Sequence, residues 1–95
     1  MANQTFDSAQ YKEYMAQLKR MISELPPFCA EFFRGIENET LIRTRVAYAG
    51  DLKNFFGFLI KENENFKRDN IRSLTLSDID RVSVTDVEIY LSYVT

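Results

Sequence analysis

Among the 95 residues there is no histidine, a single cysteine, two prolines and three glycines. Without histidine, and with Cys29 as the sole thiol, zinc sites and imidazole-based acid–base or nucleophilic catalysis lack their usual donors. One cysteine cannot form an intrachain disulfide and agrees with a reducing compartment. No apolar run approaches the roughly 20 residues that span a bilayer. The leading MANQTFDSAQYKEYM has neither the basic head nor the apolar stretch of a signal peptide. The expected location is cytoplasmic, with no membrane contact. Gly35, Gly50 and Gly57 are scattered, so no glycine-rich phosphate loop exists. Nothing in the residue inventory points to a metal, a cofactor or a small-molecule substrate.

What is present reads as one helical domain over residues 1–95. The composition, 45% hydrophobic and 27% charged, is that of an ordinary globular chain with a single core. Tyr11, Tyr14, Met15, Leu18, Met21, Ile22 and Leu25 recur at spacings of three and four. They predict an amphipathic helix from Ser8 to Leu25, capped by Asp7 or Ser8 and stopped by Pro26-Pro27. A second helix is expected from Pro27 to about Glu37, and a long third one from Leu41 to about Asn63 with Thr40 as its cap. ENENFKRDNIRS is polar and aperiodic and reads as a loop, with Phe66 tucked under the bundle. A short helical turn follows within 74–80, capped by Thr75 or Ser77. The last helix opens on Ser83 and Asp86, spaced as a capping box, with Val84, Val87, Tyr90, Leu91 and Val94 as its apolar face. The class is all-α: a small bundle of four main helices and one short turn.

Net charge is −2, unevenly spread. Residues 31–72 hold eight basic and seven acidic groups, whereas residues 73–95 hold one and four, so an anion would be met in the middle of the chain. Asp78, Asp80, Asp86 and Glu88 sit at helix starts, where capping explains them better than acid–base chemistry. The eight Phe and five Tyr fall mostly on apolar helix faces and read as core. Cys29 reads as a small buried hydrophobe, or as a thiol activated near a helix start.

The stretch TLIRTRVAYAGDLKNFF is the most informative. On a helix it sets Leu41, Tyr48, Leu52, Phe55, Phe56 and Leu59 on one side and Arg43, Ala47, Gly50, Asn54, Gly57 and Lys61 on the other. Glycine inside a helix costs about 1 kcal/mol relative to alanine, so two of them on an outer stripe imply that something large comes close. Arg43 and Thr44 lie in the first helical turn, where free backbone N–H groups favour an anion, and Arg45 and Lys53 flank it. The stripe accommodates either a phosphate backbone, with Ala47 and Gly50 admitting the helix to a groove, or another helix.

The spacing T-x3-Y-x2-DL-x2-F-x2-FL, formed by Thr44, Tyr48, Asp51, Leu52, Phe55, Phe58 and Leu59, resembles the long helix of the core-binding, SAM-like domain of tyrosine recombinases and phage-type integrases. LPPFCAEFFRGIE before it and LTLSDIDRVSVTDVEIYLSYV after it resemble the flanking helices of Xer-type members. The likeness covers roughly residues 25–95. It implies a non-catalytic DNA-binding domain that forms one half of a clamp on duplex DNA in integration or recombination. A catalytic domain would follow it, and the chain reads as an excised amino-terminal domain. Double-stranded DNA and other recombinase protomers are the implied partners. The implied DNA-contacting residues are Arg43, Thr44, Arg45, Ala47 and Lys53, with weaker help from Lys61, Lys67 and Arg68 and with Tyr48 packed inside. Ala47 cannot hydrogen-bond a base edge, and Gly50 replaces an often basic residue, so contact falls mainly on phosphates. Phosphate contacts from Arg43, Arg45 and Lys53 give an expected salt slope of about −2.7, a loss of roughly 40-fold between 50 and 200 mM salt. The rival expectation is a helical protein-interaction module, docking a partner or a second protomer through the small stripe or through Met15 and Met21 of the first helix.

Overall fold

The computed structural model describes residues 8–94. The fold is all-α: five helices, α1 (Ser8–Ser23), α2 (Cys29–Gly35), α3 (Ile42–Glu62), α4 (Leu76–Asp80) and α5 (Val84–Val94). Two single 3-10 turns, Glu64–Phe66 and Ile71–Ser73, lie between α3 and α4. No strand occurs among the described residues.

The core is organised by α3. Ile42, Arg45, Ala49, Phe56 and Leu59 are its buried residues, and half-buried Leu52 completes a three–four alternation. That spacing keeps one narrow seam facing inward over the whole rod. α1 lies along this rod, contributing buried Leu18 and half-buried Met15, Met21 and Ile22, as its periodicity predicts. The expected cap at Asp7 lies outside the described residues. Beyond Ser23 the chain turns through buried Leu25 and Pro26 into α2, which sets Cys29 and Phe33 into the core. Burial pushes the Cys29 thiol up to about 11, so it is a small hydrophobe and not an activated nucleophile.

Thr40 does not cap α3. Its hydroxyl donates to the Ile36 carbonyl at 2.7 Å, closing the α2–α3 turn, and the capping position falls to Leu41, whose side chain makes no capping bond. Helix-start residues compete between capping forward and bonding backward, and here the preceding carbonyl takes the hydroxyl.

The polar segment after α3 is more ordered than a bare loop. Asn63 and Asn70 cap the two 3-10 turns by accepting from Asn65 N and Arg72 N, both at 2.9 Å. Phe66 is buried as expected, with the Arg81 guanidinium 4.9 Å from its ring centre. Asp78, only 3% exposed, joins these pieces. Its carboxylate accepts from the Thr75 backbone at 3.0 Å in a reciprocal capping box, from Arg68 at 2.6 and 2.8 Å, and from Arg81 at 3.0 Å. Arg72 reaches back to donate to the Ser23 and Leu25 carbonyls, satisfying the free end of α1.

α5 starts as its sequence predicts. Ser83 N donates to Asp86 Oδ2 at 2.9 Å, and Asp86 N donates to Ser83 Oγ at 3.1 Å. Its packing face differs from expectation. Tyr90 sets its ring edge against Phe55 and Phe58, centroids 5.0 and 5.3 Å apart, and Tyr93 lies 4.9 Å from Phe58. Val84, Val87, Leu91 and Val94 stay exposed, Val84 at 75%. Two constraints choose this orientation: the aromatic contacts, and a 2.9 Å bond from Asn63 Nδ2 to Asp86 that pins the start of α5 to the end of α3.

The backbone bond from Thr75, then the Arg81 and Thr75 side chains and the Arg68 charge, hold the Asp78 carboxyl down to about 2, against an ordinary 3.8. A depressed carboxyl stabilises the fold above its unfolded value and loses that stability as pH falls through the folded value. Urea denaturation should therefore show a contribution on the order of 2 kcal/mol disappearing between about pH 4 and 2. In Asp78→Asn the decline should be shallower, and stability at pH 7 lower by roughly 2–3 kcal/mol.

Candidate nucleic-acid interface

The seam on α3 determines which residues reach the surface. Positions 43 and 47 lie on the side away from it, and both Arg43 and Ala47 are exposed, while Thr44 is half-buried. No side chain caps this end of the helix, and its first turn holds no acidic residue. Uncapped N–H groups at a helix start favour an anion, and Arg43 is exposed on the same turn.

Arg45 departs from expectation. It is 4% exposed, on the inward seam between Ile42 and Ala49, and its Nη2 donates to the Thr40 carbonyl at 3.3 Å. A side chain so enclosed does not reach a phosphate lying against Arg43. Two residues along a helix rotate a side chain by about 200°, which is why neighbours in sequence part so completely. Lys53 is exposed but paired, its Nζ 2.7 Å from Glu24 Oε1 of α1. Both side chains are half exposed, and such surface pairs contribute about 0–1 kcal/mol, so a phosphate can displace the carboxylate.

The small-residue stripe divides along its length. Gly50 is half-buried under α1; a Cβ there would stand 3.6 Å from Met21 Cε, an ordinary contact. Met21 is thus part of the core packing and not a free docking residue. Gly57 has nothing within 4 Å of a built Cβ, and it borders a groove of about 340 Å³ between α3 and α5 with Asn54, Lys61, Tyr90 and Tyr93. Tyr48, expected inside, is 41% exposed and shares a shallow apolar hollow with Phe32, Asp51 and Leu52.

Three further arginines make structural bonds. Arg68 and Arg81 serve Asp78, and Arg72 serves the end of α1. None of these roles is legible in composition alone. The signal for Arg45 was its place in the three–four spacing from Ile42 to Leu59.

Among the described residues, no three or more His, Cys, Asp or Glu side chains are grouped to hold a metal ion. Nor is any helix among them long and apolar enough to cross a membrane. No known protein family, no curated protein and no solved structure matches the chain.

Because the added methyl at position 57 meets open space, Gly57→Ala should stabilise the chain by roughly 0.5–1 kcal/mol through helix propensity alone. Chemical denaturation measures this directly. Equal or lower stability in the variant would mean that Gly57 is required by the fold itself.

Proposed function

We propose that the chain is a non-catalytic DNA-contacting module of a site-specific tyrosine recombinase, acting as one half of a clamp on duplex DNA. The observation that carries this reading is the uncapped start of α3, where Arg43 and Ala47 stand exposed on the side opposite the core seam. The likeness of the α3 spacing to the recombinase core-binding helix supports it.

In this reading a phosphate lies against the first turn of α3. The backbone N–H groups and the Arg43 guanidinium donate to it, the latter as a charge-assisted bond. The Thr44 hydroxyl is close enough in sequence to join them. Ala47 contributes by being short: it lets the duplex approach the helix without supplying a base-edge contact. Lys53 adds a second cation once it exchanges Glu24 for phosphate. Arg45 supplies none, being enclosed. Catalysis would belong to another domain, and the tyrosines of this chain are not nucleophiles.

With two cationic contacts in place of three, the salt slope becomes about −1.8, a loss of roughly 12-fold between 50 and 200 mM salt. Binding by the module alone is feeble, and the second half of a clamp would raise its effective concentration.

A second reading, a protein-interaction module, is favoured by one specific observation: the exposed apolar residues of α5 together with Phe32, Leu41 and Tyr48. Anisotropy titration of a labelled duplex separates the two. Under the DNA reading Arg43→Glu should weaken binding at least tenfold and flatten the salt slope by about one unit. No duplex binding at low salt, or binding indifferent to Arg43→Glu, would contradict it.

A further inference from the structure

α5 is held along one face and bare along another. It runs back along α3: Asn63 holds Asp86, the Tyr90 ring meets Phe55 and Phe58, and Val94 lines the same open groove as Asn54. About a third of a turn round the helix, Val84, Val87, Leu91 and Val94 are exposed. Their spacing of three, four and three residues is that of a two-helix coiled coil, in which apolar side chains of facing helices interlock. Val94 belongs to both this stripe and the groove, so the two surfaces are continuous.

Area and charge select the occupant. With the adjoining Tyr93 ring, which is 69% exposed, the stripe presents roughly 500 Å² of largely apolar surface, enough to mark an interaction site. A reciprocal contact between two copies would bury about 1,000 Å², the lower edge of a specific, transient interface. Glu88 lies on the flank of the stripe away from the groove, and Lys61 lines the groove; both are exposed, and neither is ion-paired among the described residues. Glu62 shares that lining but also faces the hollow on the Ile89 side. Asp86 stands level with Asn63 and Tyr90 with Phe58, so Glu88 stands level with Lys61 along the rod. A two-fold axis parallel to two α5 helices brings the Glu88 flank of each onto the Lys61 side of the other, whereas an antiparallel pair would set the two Glu88 flanks together. We infer that the chain pairs with a second copy of itself through α5, stripe against stripe and in parallel, with Glu88 of each copy reaching Lys61 of the other. This surface is separate from the Arg43 end of α3 and does not depend on the DNA reading.

Sedimentation velocity of the 95-residue chain without DNA, up to about 1 mM, should show a monomer–dimer equilibrium and no larger species. Val84→Glu puts a charge into the stripe at a helix start that tolerates an acid, and should raise the dimer dissociation constant by about tenfold or more. Glu88→Lys and Lys61→Glu should each raise it by roughly threefold or more, and the double variant carrying both should return it to near the starting value. The charge variants lie on the exposed surface and cover the case in which Val84→Glu fails to fold. A chain that stays monomeric over the whole range, association beyond a dimer, a dimer indifferent to Val84→Glu in its folded form, or a double variant no tighter than the single ones would each overturn the inference.

Discussion

The fold depends on the inward seam of α3. Ile42, Ala49 and Leu59 are fully enclosed along it, and α1 lies against the rod with Met21 over Gly50. Close approach multiplies dispersion contacts and excludes water, so the seam fixes the rotation of α3 about its own axis. Once that rotation is set, Arg43 and Ala47 must point outward and Arg45 inward. The surface chemistry of the first half of α3 is a consequence of packing on its other side.

Polar ties then fix the rest of the chain to this rod. Asp78 gathers Arg68, Arg81 and the Thr75 backbone, Arg72 closes the end of α1, and Asn63 holds Asp86 at the start of α5. These ties draw on the basic residues: Arg45, Arg68, Arg72 and Arg81, four of the seven arginines, hydrogen-bond within the chain. A count of charges along the sequence therefore overstates the positive field that a ligand would meet. At the leading end of α3 the cation left exposed is Arg43.

Much of the architecture was legible from periodicity and end signals. The three–four spacing of α1 marks one buried face, Pro26-Pro27 ends the helix, Thr75 is one of the two caps expected for α4, and the Ser83–Asp86 pair marks the start of α5 at its true position. The rotation of α3 was harder, because its apolar residues cover more than half the circumference. Leu41 and Tyr48 have the right chemistry for an interior, yet the narrower set that includes Ile42 and Ala49 packs more closely and is the one enclosed. α5 shows the same ambiguity: Val84, Val87, Leu91 and Val94 form a regular stripe, but the Tyr90 and Tyr93 rings find Phe55 and Phe58. Arg45 was illegible as a core residue because its charge argues for the surface, and only its place in the seam argues otherwise.

The central claim is that α3 turns its Arg43 and Ala47 side outward, where we propose that a duplex docks, while its Ala49 side is sealed. Thiol labelling of Ala47→Cys and Ala49→Cys with a hydrophilic maleimide tests it directly, with buried Cys29 as an internal control. The account predicts that the thiol at 47 reacts like an open one and the thiol at 49 stays protected, and that a short duplex at low salt slows labelling at 47. Equal reactivity at the two positions, or a rate at 47 indifferent to duplex, would contradict it.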